Sequence, residues 1–231
     1  MKVLVIIPAY NESVNISNVI EKLENDCCGL EYKVDYLVVN DCSTDNTLSV
    51  LKREKSSYVS LPINLGIGGG VQCGYIYALE REYDIAIQLD GDGQHDSAYL
   101  DAIVLPILEG EADVVIGSRF IEKEGFQSSA LRRTGINFLS NVIKLVSGVR
   151  VKDVTSGFRA ANRKAIELFA KDYAQDYPEP EAIVKCVKNK LRIKEVPVVM
   201  KERQGGESSI SPLKSIYYMI KVTIAIIFAI I

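Results

Sequence analysis

The chain has 231 residues, of which 48% are hydrophobic and 25% charged, with a formal net charge of -3. That composition fits one folded domain with at most a short appendage and excludes a disordered or repeat protein. No global basic field is available for nucleic acid. The five cysteines, with Cys27 and Cys28 adjacent and no CxxC spacing, indicate neither a disulfide framework nor a zinc site, so a reducing cytosol fits best.

The apolar run Val3 to Ile7 stops at Pro8, too early for a signal peptide, and reads as a first strand. Tyr36 to Val39, Ile85 to Leu89 and Asp113 to Gly117 are similar runs, with the unbroken apolarity of strands buried on both faces. Between them Val14 to Leu23, Thr44 to Leu51 and Tyr99 to Leu108 carry helical spacing or capping residues. This alternation predicts a doubly wound, mostly parallel sheet whose ligands bind beyond the carboxyl ends of the strands. Farther on, the sequence predicts a helix over Ala130 to Val146, a loop over Val154 to Arg159 and a late strand over Lys194 to Val199. A final helix is predicted to start near Ser211 and Pro212.

Three polar loops fall at the predicted strand ends: Pro8 to Glu12, Asn40 to Asp45 and Asp90 to His95. In the last of these, Asp90 and Asp92 stand two residues apart among glycines that let the backbone turn tightly. Oxygen donors of this kind suit Mg²⁺ or Mn²⁺, which take one or two protein carboxylates and complete their shell with water and phosphate. Asp92 and Gln94 are the candidate ligands. An ordinary Asp-Gly turn explains the motif alone equally well, but the second acidic loop at Asp41, Ser43 and Asp45 favours a cation or ligand donor nearby.

PAYNE at Pro8 to Glu12, NDCSTDNT at Asn40 to Thr47, DGDGQH at Asp90 to His95 and GSRF at Gly117 to Phe120 together resemble the family 2 glycosyltransferases. Within that family the chain is most similar to the polyprenyl-phosphate glycosyltransferases, the group that includes dolichyl-phosphate mannose synthase. The resemblance implies a GT-A fold and an inverting transfer from a nucleoside-diphosphate sugar, with UDP the preferred nucleotide and UDP-GlcNAc or UDP-glucose as examples. It further implies that Pro8, Tyr10 and Glu12 shape the base and ribose pocket, Asp41 reads the base, Asp90 and Gly91 hold the nucleotide, and Asp92 and Gln94 bind the metal. Two positions depart from the common pattern: Asn40, where a second acid is frequent, and Gly91, where Ala is.

Arg119 is a candidate helper for the phosphates, because a guanidinium fork matches phosphate oxygens. Arg203, in the polar loop Lys201 to Ser209, resembles the cation that closes over the donor diphosphate. Ser156 and Arg159 in DVTSGFRA, with Arg132 and Arg133, are acceptor-side candidates. Glu179 and Glu181 in YPEPE stand where hydroxyl-directed relatives carry a base, although a solvated acidic loop explains them equally well. The chain has no Trp, so the Gln-x-x-Arg-Trp motif of processive members is missing.

Ile216 to Ile231 is apolar apart from Lys221 and Thr223. As a helix it reaches about 24 Å, short of the ~30 Å of a hydrocarbon core, with Lys221 and Lys214 placed to meet lipid headgroups. The expected organisation is therefore a catalytic domain over 1–210 and a membrane-associated helix over 211–231, with the catalytic part at the cytoplasmic face. So short an anchor predicts a small membrane-protein partner or self-association. Polyprenyl phosphate, undecaprenyl phosphate in a bacterial setting, is the expected acceptor, since its oxygen is already anionic and needs no base. The rival readings are transfer to a hydroxyl in a cell-surface glycan, a sugar nucleotidyltransferase and an inactive membrane scaffold.

Overall fold

The computed structural model describes residues 1–127, 129–202 and 212–230. A seven-stranded sheet runs through the middle in the order β3-β2-β1-β4-β6-β5-β7. The strands are β1 (Lys2–Ala9), β2 (Lys33–Asn40), β3 (Tyr58–Ser60), β4 (Ile85–Gln88), β5 (Val114–Ser118), β6 (Arg159–Asn162) and β7 (Ile193–Pro197). All pairings are parallel except those of β6, which runs antiparallel to both β4 and β5. The sheet is therefore mixed, and Arg159, predicted to end a loop, opens its reversed strand.

The predicted strands are buried on both faces, which explains their unbroken apolarity. On one side Leu4, Ile6, Leu37, Val39 and Ala86 pack under α3 (Gly66–Glu80), α5 (Ala130–Ser147), α6 (Arg163–Lys171) and α7 (Pro178–Lys188). On the other, Val3, Val5, Ile7, Val38, Ile85 and Ile87 meet α1 (Ile16–Cys27), α2 (Thr47–Glu54) and α4 (Leu100–Leu108). Full burial of each such side chain contributes about 1.5–3 kcal/mol, so this double-sided core dominates the stability of the fold.

α3 has no counterpart in the sequence reading, because a run of glycines is a poor helix signal. Its glycines let the helix approach closely. A Cβ on Gly74 would lie 2.2 Å from Cγ2 of Ile6, a fully buried β1 side chain, and one on Gly68 would lie 1.9 Å from the Ala174 carbonyl oxygen.

α5 matches its prediction closely. Ser129 caps it by accepting from the Arg132 amide, and Gly148 ends it in a left-handed turn. The last helix, α8 (Pro212–Ile230), lies against α5 and α7. Val222 and Ile226 enter the core, while Ile220, Ile224, Ile227 and Phe228 face outward. Among the described residues no helix is long and apolar enough to cross a membrane. Lys221 does not reach for headgroups here but pairs with Asp176, and the side chain of Lys214 lies outside the described residues.

Candidate active site

The three predicted loops follow β1, β2 and β4, adjacent parallel strands, and meet at their carboxyl ends. The first two are knitted together by hydrogen bonds. Asn11, in a left-handed conformation at φ 58°, accepts from the Thr44 amide at 2.8 Å and donates its own amide to Ser43 Oγ at 3.0 Å. Glu12 N–H donates to Thr47 Oγ1 at 2.9 Å, and Asn15 Nδ2 donates to Glu12 Oε2 at 2.8 Å. Glu12 is thus a buried joint of the loop. Tyr10 stays exposed at the mouth, beside Pro8, which packs beneath α3 close to Gly70.

Asp41 is buried, with Oδ1 accepting from the Leu65 amide at 2.7 Å. Burial tends to raise the pKa of Asp45, but hydrogen bonds from Thr47 and Ser13 outweigh it and hold the carboxyl below its ordinary value. Both carboxylates therefore accept hydrogen bonds from within the protein. The donors are the Leu65, Ser13 and Thr47 amides and the Thr47 hydroxyl.

The metal-loop motif follows β4. Gly91 N–H reaches the Pro8 carbonyl at 3.3 Å, and an added Cβ would sit 3.0 Å from that oxygen, so Gly91 fits this turn closely. Asp90 N–H donates to Nδ1 of His95, whose ring stacks on Phe158 at 5.2 Å; the bare Nδ1 leaves Nε2 as the N–H, 3.7 Å from Asp90 Oδ2. Gln88 Nε2 donates to Asp90 Oδ1 at 3.0 Å, and the bare Cα of Gly157 makes room for both groups. Asp92 Oδ1 accepts from the Gln94 amide at 3.0 Å, so the two candidate ligands share one turn, both partly exposed. Among the described residues no group of three or more His, Cys, Asp or Glu could hold a metal ion. Hard oxygen donors from Asp92 and Gln94 nonetheless fit a cation that takes most of its shell from diphosphate and water.

One contact ties this loop to the chain beyond β7. Lys201 N–H donates to the Gln94 carbonyl at 2.9 Å, and Lys201 Nζ lies 2.9 Å from Asp96, which Lys22 approaches at 3.1 Å from α1. Nothing in the composition of the sequence pointed to this latch. Arg203, two residues on, lies outside the described residues.

Three predicted ligand contacts are buried and held by partners within the protein. Arg119 is buried, and its fork closes on Asp153 through Nε and Nη2, both at 2.7 Å, with Thr155 Oγ1 at 3.2 Å. Arg159 is 2% exposed, and its guanidinium donates to the carbonyls of Ser156, Val154 and Glu179. Ser156 Oγ donates to the Gly117 carbonyl at 2.6 Å beneath the surface. Polar residues in a loop resemble ligand contacts until packing buries them. Arg132 and Arg133, by contrast, are exposed on the first turn of α5, as an acceptor site requires.

YPEPE is not a solvated loop. Tyr177 takes a left-handed conformation, Pro178 begins α7, and Glu179 and Glu181 lie in its first turn. Burial pushes the Glu179 carboxyl up to about 7; the charges of Arg159 and Arg132 oppose that rise and Asp90 adds to it. Glu181 is also raised by burial, but its charged neighbours are Lys185, Asp172, Lys221 and Asp176, on the α8 side. Glu179 is therefore the carboxyl that shares surroundings with the metal-loop motif.

The description "Glycosyl transferase family 2" matches residues 4–169, and the chain belongs to that family: it is a glycosyltransferase with a GT-A fold built on a mostly parallel, mixed sheet. It is 31% identical over 216 residues to the UDP-N-acetylglucosamine--dolichyl-phosphate N-acetylglucosaminyltransferase of Methanococcus voltae, covering 85% of this chain and 84% of that one. With the polyprenol monophosphomannose synthase of Mycolicibacterium smegmatis it shares 28% identity over 220 residues, 91% of this chain and 81% of the other. The crystal structure of glucosyl-3-phosphoglycerate synthase from Mycobacterium tuberculosis with Mn²⁺, UDP and glucosyl-3-phosphoglycerate superposes with a TM-score of 0.71 at 20% identity. That match covers 99% of this chain and 80% of that one.

Proposed function

We propose that this enzyme transfers a sugar, with inversion, from a nucleoside-diphosphate sugar to polyprenyl phosphate, with a UDP-sugar such as UDP-GlcNAc or UDP-glucose preferred as donor and undecaprenyl phosphate as the bacterial acceptor. One observation supports the reading: Asp41, Asp90 and Asp92 follow β2 and β4, the two strands that flank β1 in the sheet, in a chain whose relatives are named as sugar transferases to lipid phosphates. Tyr10, Pro8 and Asp41 form the nucleoside side, with Glu12 holding the loop. Asp90 and Gly91 are proposed to hold the nucleotide-sugar. Mg²⁺ or Mn²⁺ on Asp92 and Gln94 supplies stabilisation of the charge that develops on the leaving diphosphate.

The protein's own work is positional. The loops at the strand ends are proposed to fix the anomeric carbon between the diphosphate and the acceptor side, where Arg132 and Arg133 attract an anion. Arg203 remains the proposed contact of the donor diphosphate. Residues 1–210 form the catalytic part and 211–231 the membrane-contacting part, with the outward face of α8 against the cytoplasmic leaflet. A small membrane-protein partner or a second copy is proposed to extend that contact. Because Val222 and Ile226 already bind α8 to the domain, the helix is proposed to lie in the interface plane and not to span.

A second reading is favoured by Glu179, which is a base of suitable pKa for a hydroxyl acceptor. Membranes containing the protein, supplied with radiolabelled UDP- and GDP-sugars and Mn²⁺ or Mg²⁺, separate the two. Label in organic-extractable lipid supports the lipid phosphate, and donor turnover without lipid product supports the hydroxyl.

A further inference from the structure

Gln88 is the one polar residue in the apolar run Ile85 to Leu89, and it sits inside the sheet, paired with Ile6 of β1 on one side and Arg159 of β6 on the other. We propose that Gln88 is a positioning residue for the sugar donor: its side-chain amide sets the angle at which Asp90 presents its carboxylate to the nucleotide-sugar, at a cost in stability. This rests on the reading in which Asp90 holds the nucleotide-sugar.

The Gln88 side chain is 0% exposed. Its Nε2 donates to Asp90 Oδ1 at 3.0 Å, and its Oε1 has no hydrogen-bond partner among the described residues. A carboxylate only accepts, so the amide meets Asp90 with its nitrogen, and the amide oxygen is the atom left over. A buried acceptor without a donor opposes folding, whereas a methionine of similar length would bring no such group into the core. Asp90 does not depend on the bond for its own solvation, because its side chain is 32% exposed and water can reach the carboxylate. The bond therefore relieves no burial penalty at Asp90 and accompanies one at Gln88. What it supplies is direction.

Asp90 is restrained from several sides. Its amide donates to Nδ1 of His95, whose side chain is 4% exposed and stacks on Phe158, so the backbone that carries the carboxylate is fixed. Gln88 Nε2 holds Oδ1, and His95 Nε2 stands 3.7 Å from Oδ2. Gly157 closes over the pair: a Cβ there would lie 2.7 Å from Gln88 Nε2, 3.0 Å from Asp90 Oδ2 and 3.2 Å from Oδ1. The terminal torsion of an aspartate is otherwise broad, and here one bond and two close neighbours narrow it. The lone pairs that Gln88 does not take remain for the hydroxyls of a nucleotide-sugar. A carboxylate already turned toward its ligand binds without the loss of torsional freedom that a swinging one incurs.

Two variants reach the amide by different routes. Gln88→Met keeps the length of the side chain and removes the donor and the unpartnered oxygen together. Gly157→Ala leaves the amide in place and pushes Nε2 away from Asp90. The donor is UDP-GlcNAc, or whichever of the radiolabelled UDP- and GDP-sugars the unmodified protein turns over. In both variants the donor KM should rise about three- to tenfold, while the KM for a short-chain prenyl phosphate stays as in the unmodified protein. The melting temperature of Q88M should equal or exceed that of the unmodified protein, the opposite of what a framework residue gives. Asp90→Ala should raise the donor KM by itself, and adding Q88M to D90A should change it no further, since the amide acts only through that carboxylate. An unmodified donor KM in both Q88M and G157A overturns the inference, and a raised donor KM in D90A then leaves the reading of Asp90 intact. A lowered melting temperature in Q88M, or a Q88M effect that persists in D90A, also overturns it. An unmodified donor KM in D90A removes Asp90 from the donor site and takes the inference with it.

Discussion

Arg119 and Asp153 form a bidentate pair, 7% and 0% exposed at their side chains, that joins the end of β5 to the loop before β6. The Arg119 amide donates to the same carboxylate at 3.1 Å, and Glu195 in β7 accepts from the Asp153 amide at 2.9 Å. The loop carrying Ser156 and Gly157 is thereby fixed beneath Asp90. Arg119→Leu or Asp153→Asn should each cost about 3–5 kcal/mol, because either leaves a buried group uncompensated. Urea denaturation reads the cost. A folded, fully stable R119L with activity abolished would instead return Arg119 to the reaction itself.

Asp92 and Gln94 carry the proposed cation, and their substitution should separate chemistry from folding. Asp92→Asn should lower turnover by at least about 10²-fold, while a melting curve stays close to that of the unmodified protein. Gln94→Glu should retain more activity than Gln94→Ala, and chelation should abolish turnover until Mn²⁺ or Mg²⁺ is restored. Undiminished turnover in excess chelator would refute the metal assignment.

Asp113, just before β5, is linked to pH through Arg192. Arg192 donates to it from Nε at 3.0 Å and from its amide at 2.8 Å, and Asn162 Nδ2 adds a bond at 2.9 Å; Arg192 first among these holds the carboxyl at about 2. A depressed folded-state pKa stabilises above the unfolded value, so this contribution is complete above about pH 4 and is lost as pH falls toward 2. It amounts to on the order of 2 kcal/mol. Asp113→Asn should be less stable near neutrality and should flatten the acid limb of a stability-versus-pH curve. An unchanged acid limb would show that other carboxylates set it.

How much of this was legible in the sequence depended on what each residue must satisfy. β1, β2, β4 and β5 announce themselves because burial on both faces demands unbroken apolar runs, and the loops after β1, β2 and β4 are recognisable by their polar motifs. β6 is hidden: RAAN is short, opens on a charged residue and reverses direction. α3 hides behind its glycines, which the close approach to Ile6 requires. α7 hides behind Pro178 and Pro180, which break a helix interior but are tolerated in a first turn. The burial of Arg119, Ser156 and Arg159 was not legible for one physical reason: a polar side chain looks the same in sequence whether it meets a substrate or a buried carbonyl.

The outward face of α8 gives the last prediction. Ile220, Ile224, Ile227 and Phe228 recur at helical spacing and remain exposed, while Val222 and Ile226 hold the opposite face in the core. Phe138 and Leu145 are exposed on α5, the helix beside it. An in-plane helix places such a face in the headgroup and acyl boundary, and each apolar side chain fully removed from water contributes about 1.5–3 kcal/mol. Ile224→Glu combined with Phe228→Glu should therefore lower cosedimentation with anionic vesicles by at least about tenfold. Turnover of a water-soluble short-chain prenyl phosphate should be unaffected, since both side chains are exposed on α8 and the proposed site lies in the loops at the strand ends. Equal vesicle binding by the double variant would mean that another surface meets the membrane.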